Sequence, residues 1–222
     1  MKIRTRNKWI AISITLFMLL LDQTFKILVK TNMYYHDSIH ITNWFYIHFI
    51  ENDGMAFGWQ IFPKITQTVS RIIFSFIIIW YIKKIIIAKF NTGFIISVCL
   101  ILAGALGNIF DSIFYGAIFS ESTFSTISTF VPIGNGYSDW LRGKVVDMFY
   151  FPLFEFNWPK WIPIIGGNNF IFFSPVFNLA DAFITCGILL IFLFYFKSLE
   201  KSYNLIIEEI QKHPLYKKLK NK

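Results

Sequence analysis

Four long apolar stretches restrict this chain to membrane-spanning architectures. They cover residues 9–29, 65–87, 94–114 and 175–196. At 1.5 Å per residue, each is long enough for an α-helix to cross the roughly 30 Å hydrocarbon core of a bilayer. Only 15% of the 222 residues are charged, whereas soluble domains carry about 25%. We therefore predict an all-α polytopic membrane protein with four transmembrane helices and one membrane-embedded domain over 1–222.

Basic residues form three clusters beside these stretches, within 2–8, 83–89 and 197–222. In a four-span chain all three clusters fall on one side, and an excess of Lys and Arg marks the cytoplasmic side. This pattern accounts for the net charge of +8 without a nucleic-acid partner. We expect both termini in the cytoplasm and the loops 31–64 and 115–174 outside. The first span has no small-residue cleavage site, so we interpret it as an uncleaved anchor.

Polar residues of three spans fall at one depth, near the predicted outer surface. They are Asp22 and Lys26 in the first span, Asn108 and Asp111 in the third, and Asn178 and Asp181 in the fourth. A charged side chain at the bilayer centre costs about 2.5–3.5 kcal/mol on insertion scales. Because three separate spans carry such groups at the same level, we predict a shared, water-accessible site.

Helical spacing supports this convergence. Gly104, Asn108 and Asp111 lie at i, i+4 and i+7, on one helix face, and the surrounding AGALG segment offers small residues for close helix packing. Asp22 and Lys26 are an i, i+4 pair. Such a pair is as consistent with a structural ion pair as with a catalytic one.

The available residue types favour carboxylate chemistry. All four His residues lie outside the spans, which excludes a zinc-binding His-Glu-x-x-His helix. Cys186 and Ser174 have no His nearby in sequence to activate them as nucleophiles, although a loop His at 36–48 could approach. Two aspartates that share a site act as base and acid without a metal or cofactor. The candidates are Asp111, Asp147 and Asp181.

Two other chemistries remain open at this point. Asp and Asn oxygens could bind Mg²⁺, although no acidic cluster supplies dedicated ligands. A small transporter or channel subunit could use the same aspartates for proton or cation passage, but four spans without repeated halves disfavour it.

Five segments resemble, in order, the sequence blocks of bacterial lipoprotein signal peptidase (signal peptidase II). They are LLLDQTFK, ENDGMAFGW, AGALGNIFD, GKVVDMF and VFNLAD. The resemblance implies a membrane aspartic endopeptidase that cuts diacylglyceryl-modified prolipoproteins just before the lipidated cysteine. It also implies the bacterial cytoplasmic (inner) membrane, an active site near the outer surface, and no cofactor or metal. A non-catalytic relative that only binds lipoproteins is the alternative within this family.

The same resemblance assigns roles to individual residues. Catalysis falls on Asp147 of the VVD block and Asp181 of the FNLAD block. Supporting or substrate-binding roles fall on Asp22, Lys26, Asn52, Gly54, Gly104, Asn108, Asp111 and Asn178. The implied partners are prolipoprotein substrates, membrane lipids and globomycin-type inhibitors, and we expect a monomer. A small extracytoplasmic β-cradle is implied in the first outward loop, where ITNWFYIHFI favours strands and ENDG favours a turn.

The chain departs from the family pattern in two ways. Many members have Arg after the Asp of the third block, whereas this chain has Ser112, so Arg142 is a candidate substitute. Arg71 of the second span is expected to extend toward the membrane surface. The chain also carries two insertions, at 117–140 and 158–169. The first is poor in aliphatic residues, and we expect it to act as a mobile outer lid.

Overall fold

The computed structural model describes residues 2–52 and 63–212. Its helices are α1 (Lys2–Asn32), α2 (Lys64–Ile87), α3 (Thr92–Phe110), α4 (Gly116–Ile118), α5 (Leu179–Phe194) and α6 (Phe196–Lys212). A π-helical turn, Asp111–Tyr115, joins α3 to α4. Each of the four predicted spans therefore coincides with a helix over most of its length.

Two helical segments are clearly long and apolar enough to cross a membrane. These are α1 and the continuous segment Thr92–Ile118. Helices α5 and α6 make a third span only if they count as one, and they are bent by 92° at their junction. Helix α2 has 24 residues and carries Arg71, Lys83 and Lys84. The protein thus has the helical membrane fold with two clear spans in its described residues, and the four-span count remains a prediction.

Side-chain contacts fix the relative directions of the helices. Near one end, Thr92 of α3 donates a hydrogen bond to Asn7 of α1 (3.1 Å). Near the other, Gln23 of α1 donates to the carbonyl of Gly107 on α3 (3.2 Å). Helices α1 and α3 therefore run parallel. Helix α5 runs antiparallel to α3, because its first turn approaches Gly104 and its Gly187 approaches the carbonyl of Ser97.

Helix α5 begins four residues later than the predicted start of the fourth span at 175. Val176–Phe177 forms a short strand instead. Asn178 then caps the helix: its side chain accepts from the backbone N–H of Asp181 (3.0 Å), and the Asp181 carboxylate accepts from the backbone N–H of Asn178 (3.3 Å). This capping box satisfies N–H groups that a helix leaves unpaired at its first turn.

A small antiparallel sheet lies at the end of the helices where α5 begins. Its strands are β1 (Ser38–Thr42), β2 (Phe45–Asn52), β3 (Val145–Tyr150) and β6 (Val176–Phe177), in the spatial order β1-β2-β3-β6, while β4 (Phe154–Asn157) and β5 (Asn169–Phe172) form a separate hairpin. The predicted strands in the first outward loop are thus present. The turn between β1 and β2 is at 43–44, whereas Glu51 and Asn52 of the ENDG segment belong to β2.

The insertion at 117–140 packs in part against a core cluster of the molecule, and its action as a mobile lid stays a prediction. Phe119 is fully buried and pairs with Phe130 in an antiparallel bridge. Ser128 is also buried and donates to the carbonyl of Ser120 (2.7 Å). Backbone hydrogen bonds and one aromatic side chain thus hold a segment that has few aliphatic residues.

Candidate active site

Asp147 lies on β3, in a run of four buried residues, Val145 to Met148. Its side chain is 2% exposed. Burial raises the pKa of Asp147 well above the ordinary value of 3.8, and the negative charge of Asp181 raises it further. Lys26 and a hydrogen bond from Asn178 act in the opposite direction. The net effect is a raised pKa for the Asp147 carboxyl group.

Asp181 lies in the first turn of α5 and is partly exposed. A carboxylate is favourable there because the helix N-terminus carries a partial positive charge. Its Oδ2 completes the capping box with the backbone of Asn178, and its Oδ1 accepts from the side-chain amide of Asn108 (2.8 Å). These bonds fix the direction of the carboxylate.

Asn178 and Asn108 join the two carboxyl groups into one hydrogen-bond network, to which Asn52 adds a further donor. The Asn178 amide donates to Asp147 Oδ1 (2.6 Å) and to Asn108 Oδ1 (3.1 Å). Asn108 in turn donates to Asp181. Asn52 of β2 donates to Asp147 Oδ2. The sequence blocks on β2, α3, β3 and α5 therefore meet at one place.

A buried ion cluster supports this network from α1 and α3. The Lys26 ammonium contacts the carboxylates of Asp22 (3.0 Å) and Asp111 (2.8 Å) and donates to Asn108 Oδ1 (2.9 Å). Asp22 Oδ1 accepts from the backbone N–H of Ala180 at the start of α5 (2.9 Å). Asp22 and Lys26 do form the expected ion pair, and Asp111 shares it.

Asp111 also holds the strand that carries Asp147. The backbone N–H of Val146 donates to Asp111 Oδ2 (3.3 Å), and the Val146 carbonyl accepts from the Asn178 amide (3.2 Å). The backbone next to Asp147 is thus hydrogen-bonded by side chains of α3 and of the α5 cap. Asp111 contacts Lys26 and the backbone of Val146, and no hydrogen bond in the described residues joins it to either Asp147 or Asp181.

Glycines let the helices approach this site. A Cβ at Gly104 would collide with the carbonyl oxygen of Ala180 and with Ile184. One at Gly107 would lie 2.5 Å from Asp22 Oδ2 and 3.1 Å from the Ala180 Cβ. The close packing expected from AGALG therefore occurs on two sides of α3, toward α5 and toward α1. Gly54 lies outside the described residues.

Two groups of buried polar residues were not identified from the sequence. Gln23 donates to Asp22 (3.1 Å) and Asp111 (2.9 Å) and accepts from the fully buried Tyr115 hydroxyl (3.0 Å). A polar residue beside Asp22 in an apolar span was the only signal for it. Lys30, one turn beyond Lys26, is fully buried and pairs with Glu51.

The residues expected to replace the family Arg, and Arg71 of the second span, lie in different surroundings from those predicted. Ser112 is fully buried and donates to the Asn108 carbonyl (2.9 Å). Arg142 is exposed. Arg71 of α2 lies within electrostatic range of Asp181, Asp111 and Asp147. A cation from α2 therefore lies near the aspartates in addition to Lys26 of α1. In residues 2–52 and 63–212, no group of three His, Cys, Asp or Glu could hold a metal ion.

Comparison with known proteins gives consistent matches along most of the chain. A family model described as signal peptidase (SPase) II matches residues 14–197. A lipoprotein signal peptidase of Porphyromonas gingivalis is 44% identical over 184 residues, which are 82% of this chain and 81% of that protein. One of Amoebophilus asiaticus is 36% identical over 196 residues, covering 85% and 78%, respectively.

Solved structures share the fold. A bacterial membrane enzyme determined by the in meso method at 1.9 Å resolution gives a TM-score of 0.54 at 24% identity, covering 82% of this chain and 90% of that one. A second, at 2.3 Å resolution, gives 0.55 at 23% identity, covering 86% and 90%. At this level of identity the likeness concerns the architecture alone.

Proposed function

The chain belongs to the signal peptidase II family, and we propose that it is an aspartic endopeptidase that removes the signal peptide from prolipoproteins. The substrates are diacylglyceryl-modified, and the cut lies just before the lipidated cysteine. The enzyme acts in the bacterial cytoplasmic membrane, with the site near the outer surface. The names of the relatives support the processing of lipoproteins, and the site residues support the aspartic mechanism.

One observation carries the aspartic mechanism: Asp147 and Asp181 share a hydrogen-bond network and differ in environment. Asp147 is buried beside a second carboxylate, and both the burial and the like charge raise its pKa. Asp181 is partly exposed in the first turn of α5, where its carboxyl group accepts from the Asn108 amide and from the backbone N–H of Asn178. A pair of carboxyl groups that share one proton supplies an acid and a base at the same pH.

We assign the two steps of peptide hydrolysis accordingly. Asp181 accepts a proton from a water molecule as its oxygen attacks the scissile carbonyl carbon. Asp147 donates its proton to the carbonyl oxygen, which gives a neutral tetrahedral diol. Collapse of the diol breaks the C–N bond: Asp181 gives its proton to the leaving amine, and Asp147 takes back the proton of one hydroxyl as the new carboxyl group forms. Hydrogen bonds from Asn178 and Asn108 keep the two carboxyl groups oriented during the reaction.

The test is cleavage of a lipidated prolipoprotein by the purified full chain in detergent micelles, with product masses read by mass spectrometry. Asp147→Asn and Asp181→Asn should each lower the rate at least about 10³-fold, as losses of acid–base groups do. Both should still bind substrate, and neither a chelator nor a serine-protease reagent should inhibit the wild type. A globomycin-type lipopeptide should compete with the substrate. Cleavage by either variant, or inhibition by the chelator, would reject the mechanism.

A further inference from the structure

A large apolar cavity lies between α1, α2 and α3, on faces of these helices that the aspartate network does not use. Its volume is about 790 Å³. Residues of α3 that line it include Cys99, Leu102 and Leu106. These lie at i, i+3 and i+7, on a different face of α3 from Gly104 and Asn108. The cavity is therefore a separate feature of the helical bundle.

One end of this cavity is cationic. Arg4 and Lys8 of α1 and Lys83 of α2 line it together. Within the described part of the chain, no acidic residue lines the cavity, and none of these three cations forms an ion pair. A carboxylate does neutralise the neighbouring Lys84, which pairs with Glu209 (2.5 Å). Three cations thus line an apolar cavity without a counter-charge from the residues that the structure describes.

The cavity has the length of a lipid acyl chain. Arg4, Lys8, Ile12 and Leu16 line it at successive i, i+4 positions along α1. Twelve residues of helix separate the first from the last, which corresponds to about 18 Å. One leaflet of the hydrocarbon core is about 15 Å thick. A molecule in this cavity could therefore place an anionic group at Arg4 and an apolar chain as far as Leu16.

From this arrangement we propose that the cavity binds one anionic glycerophospholipid. Its phosphate contacts Arg4, Lys8 and Lys83, and an acyl chain lies between α1, α2 and α3. Basic pockets between transmembrane helices bind anionic lipid headgroups in this way. A signal peptide is the other elongated apolar occupant to consider. Its n-region is positively charged, and the cations at the cavity mouth would repel it.

The test is lipid binding by the delipidated full chain, followed by native mass spectrometry. Titration with phosphatidylglycerol should give one bound lipid per chain, more tightly than phosphatidylcholine. Soluble glycerol 3-phosphate, which has the phosphate but no acyl chain, should not bind. Neutralising each cation should weaken binding about fivefold, so Arg4→Gln/Lys8→Gln/Lys83→Gln should lose about a hundredfold.

Two further variants make the outcome specific to the cavity. Lys2→Gln/Arg6→Gln/Lys89→Gln removes three cations that do not line it, and should bind phosphatidylglycerol like the wild type. Leu16→Trp fills the apolar end without changing the charge and should reduce binding. Thermal melting checks that each variant is folded. The proposal would be overturned by equal binding of the two phospholipids or by wild-type binding in Arg4→Gln/Lys8→Gln/Lys83→Gln. Displacement of the lipid by a signal peptide would overturn it as well.

Discussion

At the scale of single residues, the site separates two kinds of aspartate. Asp147 and Asp181 are joined through asparagine amides, whereas Asp111 is held by an ammonium group. Asp111 contacts Lys26, Gln23 and the backbone of Val146. From these contacts we propose that Asp111 is a positioning residue for β3. Sequence spacing alone left all three aspartates as candidates, and the hydrogen-bond partners distinguish them.

Substitution of Asp111 should therefore affect stability before chemistry. Asp111→Asn keeps the size of the side chain but removes one carboxylate from the buried Lys26, which keeps only Asp22. Loss of a partner from a buried ion pair costs about 3 kcal/mol. We expect a lower thermal midpoint and partial cleavage activity per folded molecule. A variant that melts like the wild type and yet fails to cleave would instead place Asp111 in the chemistry.

The raised pKa of Asp147 should make stability depend on pH. The folded chain binds this proton more tightly than the unfolded chain, so the free energy of unfolding falls as pH rises from about 4 to the folded-state pKa. The substitution Asp147→Asn removes this pH-dependent decrease in the free energy of unfolding. Its thermal midpoint should exceed that of the wild type by an amount that grows with pH across this window.

Thermal melts at a series of pH values check this prediction. Asp139→Asn, at an exposed carboxyl outside the site, controls for the loss of one negative charge. Asp147 faces charges from several elements, namely Asp181 on α5, Lys26 on α1 and Asp111 at the end of α3. A wild-type midpoint that rises with pH relative to Asp147→Asn would contradict the assignment of Asp147 as the protonated partner.

The sequence predicted which residues lie at the site better than it predicted the hydrogen bonds between them. Period and depth brought Asp22, Lys26, Asn108, Asp111 and Asp181 together, because helical spacing depends only on local geometry. Asp147 and Asn52 lie on strands of outward loops, where no period relates them to the helices. Their place came from the family resemblance. Gln23 and Tyr115 escaped notice because their partners are more than 80 residues away in sequence.

At the scale of elements, the insertion at 117–140 shows how composition can mislead. Because the insertion has few aliphatic residues, the sequence suggested that it has no core of its own. In the structure, Lys30 of α1 contacts several of its residues. Its buried ammonium donates to Ser122 (3.0 Å) and lies over the rings of Phe119 (5.3 Å) and Tyr137 (5.0 Å). A long-range cation–π contact of this kind has no signature in local sequence.

Two phenylalanines within this insertion test whether it is structural. Phe119 is fully buried, whereas Phe124 is 74% exposed. Phe119→Ala should lower the free energy of unfolding by about 3–5 kcal/mol, as for other buried aromatic residues. Phe124→Ala should cost much less, and so serves as the matched control in the same denaturation experiment. Small and equal effects of the two substitutions on the free energy of unfolding would favour a mobile lid over a structural role.

At the scale of the whole molecule, polar and basic residues gather at opposite ends. Helices α1 and α3 start at the same end, and α5 runs back toward it, so the described parts of the three basic clusters, 2–8, 83–89 and 197–212, converge there. Contacts join these regions directly: Lys84 pairs with Glu209 of α6, and the Lys201 ammonium lies over the Phe90 ring (5.9 Å). The aspartates and the sheet occupy the other end. This polarity agrees with the separation expected from charge distribution along the sequence.

We propose from this polarity that the basic end of the molecule faces the cytoplasm, which is open to a direct test. In a Cys99→Ser/Cys186→Ser background, Asn135→Cys lies in an exposed turn beyond the sheet, and Lys197→Cys lies at the exposed start of α6. A membrane-impermeant maleimide should label Asn135→Cys in intact spheroplasts, and Lys197→Cys only after the membrane is permeabilised. Because basic residues are retained on the cytoplasmic side, the aspartate end must then face outward, where a secreted prolipoprotein emerges. Labelling of Lys197→Cys in intact cells would invert the topology and move the site to the cytoplasmic surface.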